Sequence, residues 1–179
     1  MIIAEEKRKE NIVEYILYMW QIEDMLRACN LKYDDVARNI ISGYDQPQEV
    51  MEEIDHWYRS HLEMLIQEGK QTRGHLAYLD TLVLDLQQLH TNMLKPPENK
   101  AYKDLHSQAL KAIQDLKARM TTPVSEVELC LNGLYGYLLL KLQGKPISEE
   151  TQEGVDKITA MLRFLAERFR DIEAGAKEF

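Results

Sequence analysis

The stretch Ile12 to Cys29, IVEYILYMWQIEDMLRAC, limits what the chain can become more than any other. Wound at roughly 100° per residue, Ile12, Val13, Tyr15, Ile16, Met19, Trp20, Ile22 and Leu26 form one wide apolar arc. Tyr18, Met25 and Cys29 extend it, and the polar strip that remains, Glu14, Gln21 and Asp24 with Ala28, is narrow. A helix so apolar needs neighbours around most of its circumference, which makes it the expected centre of an all-α fold.

Further apolar-periodic segments follow, separated by Pro47, Pro96, Pro97, Pro123 and Pro146 and by glycines near the expected helix ends. The first helix is expected from about Ala4 to Cys29, closed by Asn30, and a short one from near Asp34 to Ser42. The next, from near Pro47 to Glu68, carries Val50, Ile54, Trp57, His61 and Leu65 on one stripe. After the turn GKQTRG comes a helix marked by Leu76, Leu79, Val83, Leu86, His90 and Met93, so the two should form an antiparallel hairpin.

Pro96 and Pro97 should end that hairpin. The helix from about Glu98 to Arg119 then buries Tyr102, Leu105, Ala109, Ala112, Leu116 and Met120. Thr122 and Pro123 are the expected cap and first turn of the next, which carries Val127, Cys130, Leu131, Leu134, Leu138 and Leu142. Gly133 and Gly136 inside it cost about 1 kcal/mol each relative to Ala, which points to another backbone, that of the first helix, packing close. Pro146 and Ser148 introduce the last helix, with Val155, Ile158, Leu162, Leu165, Phe169 and Ile172 in a three-four repeat. No run alternates as a strand would. The expectation is an all-α, single-domain bundle over 1–179, of six or seven helices, mostly antiparallel and up-and-down, with the first helix central.

Length and charge narrow the function. A chain of 179 residues can bury a core without disulfides or metals. Its net charge of -8 argues against nucleic acid, whose binding draws on Lys and Arg, and against an anionic membrane surface. The longest apolar run, Leu134 to Leu140, is interrupted by Gly136 and far short of a membrane span of about 20 residues. The N-terminus MIIAEEKRKEN lacks the apolar core of a signal peptide. Cys29 and Cys130, far apart and each in an apolar helix, read as reduced, buried thiols of a cytoplasmic protein.

The segments IAEEKRKENIVEYILYMWQIEDMLRA and LNGLYGYLLLKLQGKPISEE resemble an uncharacterised all-helical bacterial family that carries a domain of unknown function. That resemblance takes in essentially the whole chain and implies an intracellular helical domain. It transfers no activity, cofactor, partner or functional residue.

Candidate sites must therefore come from polar residues where the pattern wants apolar ones. Glu23 falls near the middle of the first helix's apolar arc, one turn before Arg27. A carboxylate buried there unpaired would cost several kcal/mol. An ion pair with Arg27 at four-residue spacing, or a partner from another helix, is the structural reading. A working carboxylate in a pocket walled by Tyr15 and Trp20 is the functional one. His61 and His90 occupy seam positions and read as hydrogen-bonded core histidines. His90 should lie near the level of Glu53, and Glu53 with His56 has the Glu-x-x-His spacing of di-iron bundles, but that site needs a second copy and two more carboxylates; no second copy is found, and the pair reads as a solvated turn of helix.

Neither a phosphate-binding glycine loop, a Gly-x-Ser-x-Gly elbow nor a His-Glu-x-x-His is present. The aromatics of EYILYMWQ read as packing. The chain is thus expected to need no cofactor or metal and to act, without catalysis, through a protein partner or as a homodimer. The alternative is a bundle that binds, or acts on, a small apolar ligand beside Glu23.

Overall fold

The computed structural model describes residues 2–95 and 99–175. Among them the regular structure is helical: α1 Ile2–Glu10, α2 Ile12–Ala28, α3 Tyr33–Asn39, α4 Gln48–Gln67, α5 Ala77–Leu94, α6 Lys100–Arg119, α7 Glu126–Leu142 and α8 Glu149–Glu173, with a 3-10 turn at Ile41–Gly43. The all-α expectation holds, with eight helices instead of six or seven. The extra one arises because the expected first helix is two. At Asn11 the side-chain Oδ1 accepts from the Val13 backbone N–H at 3.0 Å, a cap that starts a new helix after the charged α1. Pro96, Pro97 and Glu98 lie outside the described residues.

Two compact units divide the chain. The first comprises the residues up to Lys9 together with Glu14–Thr81, the second Glu10–Val13 together with the residues from Leu82 onward.

In the first unit, α2 contributes Ile16, Met19, Trp20, Ile22 and Leu26 as buried residues, and α4 contributes Ile54, Tyr58, Leu62 and Leu65. α2 and α4 end alike. Leu31 N–H reaches Leu26 O at 3.1 Å and Asn30 N–H reaches Arg27 O at 2.8 Å; Lys70 N–H reaches Leu65 O at 2.8 Å and Gly69 N–H reaches Ile66 O at 3.2 Å. These paired bonds, with a left-handed residue after the cap, satisfy the last carbonyls of each helix. Asn30 at φ 53° and Gly69 at φ 68° fill that position, where a β-carbon is normally penalised.

In the second unit α6, α7 and α8 approach one another closely. The seam between α6 and α8 uses small residues: Ala109 is buried, and a β-carbon on Gly154 would lie 3.1 Å from that of Ala112. Gly133 and Gly136 play different parts from those expected. A methyl on Gly133 would come within 2.6 Å of Leu116 Cδ1, so its neighbour is a side chain of α6, while a methyl on Gly136 would enter open space.

The start of α7 also corrects an expectation. Ser125, not Thr122 with Pro123, caps it, accepting from Glu128 N–H at 3.3 Å. A Ser followed three residues later by Glu is the stronger N-terminal pattern, and Gln87 Oε1 of α5 takes the Val127 N–H at 2.9 Å. Met120, placed by periodicity on the buried stripe of α6, is exposed because that helix ends at Arg119. Ser148 caps α8 by accepting from Thr151 N–H at 3.2 Å.

Candidate functional site

Two polar clusters lie in buried surroundings, one in each unit. The first is built on Glu23, which α2 carries at 1% exposure. Its Oε1 accepts from the Leu76 backbone N–H at 2.9 Å, and its Oε2 from His75 Nδ1 at 2.6 Å. Arg27 Nη2 stands 3.7 Å from the same Oε2. The ion pair expected one turn along α2 is therefore present, and the shorter contacts come from the far side of the loop between α4 and α5.

Arg27 binds that loop as well. Its Nε donates to Lys70 O at 3.1 Å, Nη2 donates to Gly74 O, and Nη1 donates to Asp24 Oδ1 at 2.8 Å. Gly74 takes φ 81°, a backbone that side chains rarely adopt, and so turns its carbonyl to the guanidinium. The Trp20 ring stacks on His75 with centroids 4.2 Å apart and planes 13° from parallel. Glu68 Oε2 takes the Ala77 N–H at 2.7 Å. Two carboxylates thus meet the amides at the N-terminus of α5, where the helix dipole favours negative charge.

Glu23 and His75 form a carboxylate–imidazole pair, and His75 is 26% exposed. That pair could orient a base, but among the described residues no hydroxyl or thiol is hydrogen bonded to His75 as a nucleophile. Tyr15, half-buried, lies beside the Tyr78 phenol of α5, whose pKa is raised first by burial and then by Tyr15.

His61 and His90 have separate surroundings. His61 Nδ1 donates to the Trp57 carbonyl at 2.8 Å, and its ring lies 4.0 Å from that of Trp57. Burial lowers its pKa, against the carbonyl's opposite pull, so the neutral form is favoured. Glu53 and His56 are both exposed.

His90 belongs to the second cluster, which joins three helices of the second unit. Its Nε2 lies 3.2 Å from Glu126 Oε1, and His106 Nε2 lies 2.7 Å from that same oxygen. Because His90 Nε2 carries the proton toward the carboxylate, its Nδ1 accepts from the Tyr102 hydroxyl, 2.6 Å away. Burial raises the Tyr102 pKa, and Cys130 and Glu126 add to the rise, so the hydroxyl keeps its proton. The hydrogen bond from His90 pulls the Glu126 pKa down; burial opposes it and His106 assists. The Cys130 thiol, one turn after Glu126 on α7, is pushed up to about 12 by burial and by that carboxylate.

The lowered Glu126 pKa has a definite sign in solution. An unfolded glutamate titrates near pH 4.3 and the folded group below that, so the stability Glu126 supplies is complete above the unfolded value and is lost as pH falls through the folded one. Denaturation of the wild type and Glu126→Gln should differ at pH 7 and converge as the pH falls through the folded group's lowered titration range. A constant gap would show that Glu126 acts through shape alone.

Sequence reasoning found Glu23, Arg27, Trp20 and His90 but missed His75, Tyr102, His106 and Glu126. No spacing rule links Glu23 to His75, which is 52 residues away. Tyr102 was read only as a buried residue of its helix, and His106 and Glu126 were separate polar positions on the helices now numbered α6 and α7.

Among the described residues no helix is long and apolar enough to cross a membrane. No curated protein and no solved structure matches the chain. The family described as Domain of unknown function (DUF4924) matches residues 1–176, a span that takes in parts of both units, and the chain belongs to that family.

Proposed function

We propose that the protein is a non-enzymatic helical module that works through protein contacts, with a second copy of itself as partner, in the reducing cytoplasm. The observation that carries this reading is the end of α7. Its first half is covered, with Val127, Leu129, Cys130, Leu131 and Leu134 all buried. Its last turns read Leu138-Leu139-Leu140-Lys141-Leu142, and none of these is buried; Leu140 is 37% and Leu142 63% exposed.

An apolar helix end left to water loses the burial its composition offers, roughly 1.5–3 kcal/mol for a fully covered leucine. Two-fold pairing would cover the same surface on both copies, and this is the commonest oligomer symmetry. Cys29 and Cys130 are free and buried, which fits a reducing compartment. The ligand-pocket alternative beside Glu23 has less support, since both carboxylate oxygens already hold donors.

Light scattering coupled to size exclusion tests the proposal. The wild type should elute as a dimer. Leu142→Glu, which places like charges across the two-fold contact at a cost of several kcal/mol, should weaken the dimer by about 100-fold or more and leave far-UV circular dichroism unchanged. A wild type that stays monomeric at high concentration would end this reading.

A further inference from the structure

We infer that His90, His106 and Glu126 form a binding site for a divalent first-row transition ion, with zinc as the fitting chemistry. They supply one ligand atom each, and these atoms lie within 4.8 Å of one another. Both histidines present Nε2 to a single carboxylate oxygen, at 3.2 and 2.7 Å. Ligands at about 2.0–2.1 Å from a tetrahedral ion stand about 3.3 Å apart, so the His90–Glu126 spacing is already suitable. The rest of the adjustment falls on His106 and Glu126, the two members with more freedom at 16% and 32% exposure.

Three features distinguish this cluster from an ordinary buried hydrogen-bond group. Its members come from three helices, α5, α6 and α7, yet converge on one point, whereas apolar side chains would fill the same space without the desolvation cost. The Tyr102 hydroxyl holds His90 Nδ1, the second-layer contact that orients a metal-binding imidazole. Glu126 also lines a cleft of about 320 Å³ between the end of α6 and the start of α7, formed with Ile113, Lys117, Val124 and Leu129. That cleft brings solvent to the Glu126 side of the cluster.

Binding needs no outside reagent. The ion replaces the two Nε2–H to Oε1 hydrogen bonds: each neutral imidazole moves its proton to Nδ1 and gives its Nε2 lone pair to the metal. The ionised carboxylate supplies the third bond and one negative charge. Tyr102 then changes from donor to acceptor for His90. The Glu-x-x-His pair marked in the sequence, Glu53 with His56, is exposed and lacks such support, which makes His56 a control.

The test uses the full chain, stripped with chelator and titrated with Co²⁺ while visible absorption is followed. One Co²⁺ per chain should bind with the intense d–d bands of a four- or five-coordinate ion, and Zn²⁺ should displace it. Glu126→Gln and His106→Gln should each weaken binding by about tenfold or more, Tyr102→Phe by about tenfold, and His56→Gln not at all, with circular dichroism unchanged throughout. A spectrum no different from free aqueous Co²⁺, or bands that persist in both Glu126→Gln and His106→Gln, would overturn the assignment.

Discussion

Replacing Glu23 with alanine should destabilise the first unit by about 3–5 kcal/mol, the usual cost of breaking a buried charged pair from one side. Two donors lose their acceptor together, the Leu76 amide and His75 Nδ1, and Arg27 loses an ion-pair partner at 3.7 Å. An unpaired buried donor such as the Leu76 amide bears its full desolvation cost. Glu23→Gln should be milder, about 1–3 kcal/mol, because the amide oxygen can still take the Leu76 N–H while the charge is lost. Both tryptophans, Trp20 and Trp57, belong to the first unit. Urea denaturation followed by their fluorescence therefore reads the affected region directly. An unshifted midpoint in Glu23→Ala would mean that the carboxylate is held for a task other than stability.

Tyr102→Ala should cost a comparable amount in the second unit, about 3–5 kcal/mol for a fully buried aromatic. The ring is completely buried, edge-on to His90 at 5.8 Å and tilted against Phe164 at 5.8 Å, and its hydroxyl fills His90 Nδ1. At roughly 2–4 °C per kcal/mol for a chain of this size, the melting temperature should drop by about 10 °C. Tyr102→Phe keeps the ring and loses the hydrogen bond, so about 1 kcal/mol is expected. Thermal melts followed by far-UV circular dichroism separate the two variants. Equal melting of Tyr102→Ala and wild type would contradict the packing described for α5, α6 and α8.

These expectations rest on parts of the molecule that differ in how visible they were from sequence. The apolar arc from Ile12 to Cys29 and the three-four repeat of α8 announced helices, because burial on one face imposes the helical period on the residues themselves. Glu23 stood out for the same reason, as a polar residue inside an apolar arc, and its tie to Arg27 followed from four-residue spacing. Its shorter bond, to His75, depends on how a loop returns to α2, and local periodicity carries no trace of that. The break at Asn11 was hidden because a charged segment next to an apolar one reads as a single helix until the Asn side chain takes the Val13 amide.

His90 was recognised as a hydrogen-bonded seam residue, but spacing along the helices did not identify its carboxylate. It is Glu126, in the first turn of α7, and that turn is placed by Ser125 and by Gln87 of α5. Gly133 and Gly136 show the same limit. Sequence marked both as unusual inside a helix, whereas only three-dimensional placement distinguishes the one pressed against Leu116 from the one with open space.

Native mass spectrometry of the purified, untagged chain tests the central claim most directly, because one spectrum reports subunit number and any mass carried on each subunit. The account predicts a dimer for the wild type and a monomer for Leu142→Glu under the same conditions. A wild-type spectrum containing monomer alone, or a dimer that Leu142→Glu leaves intact, would contradict self-association through the end of α7.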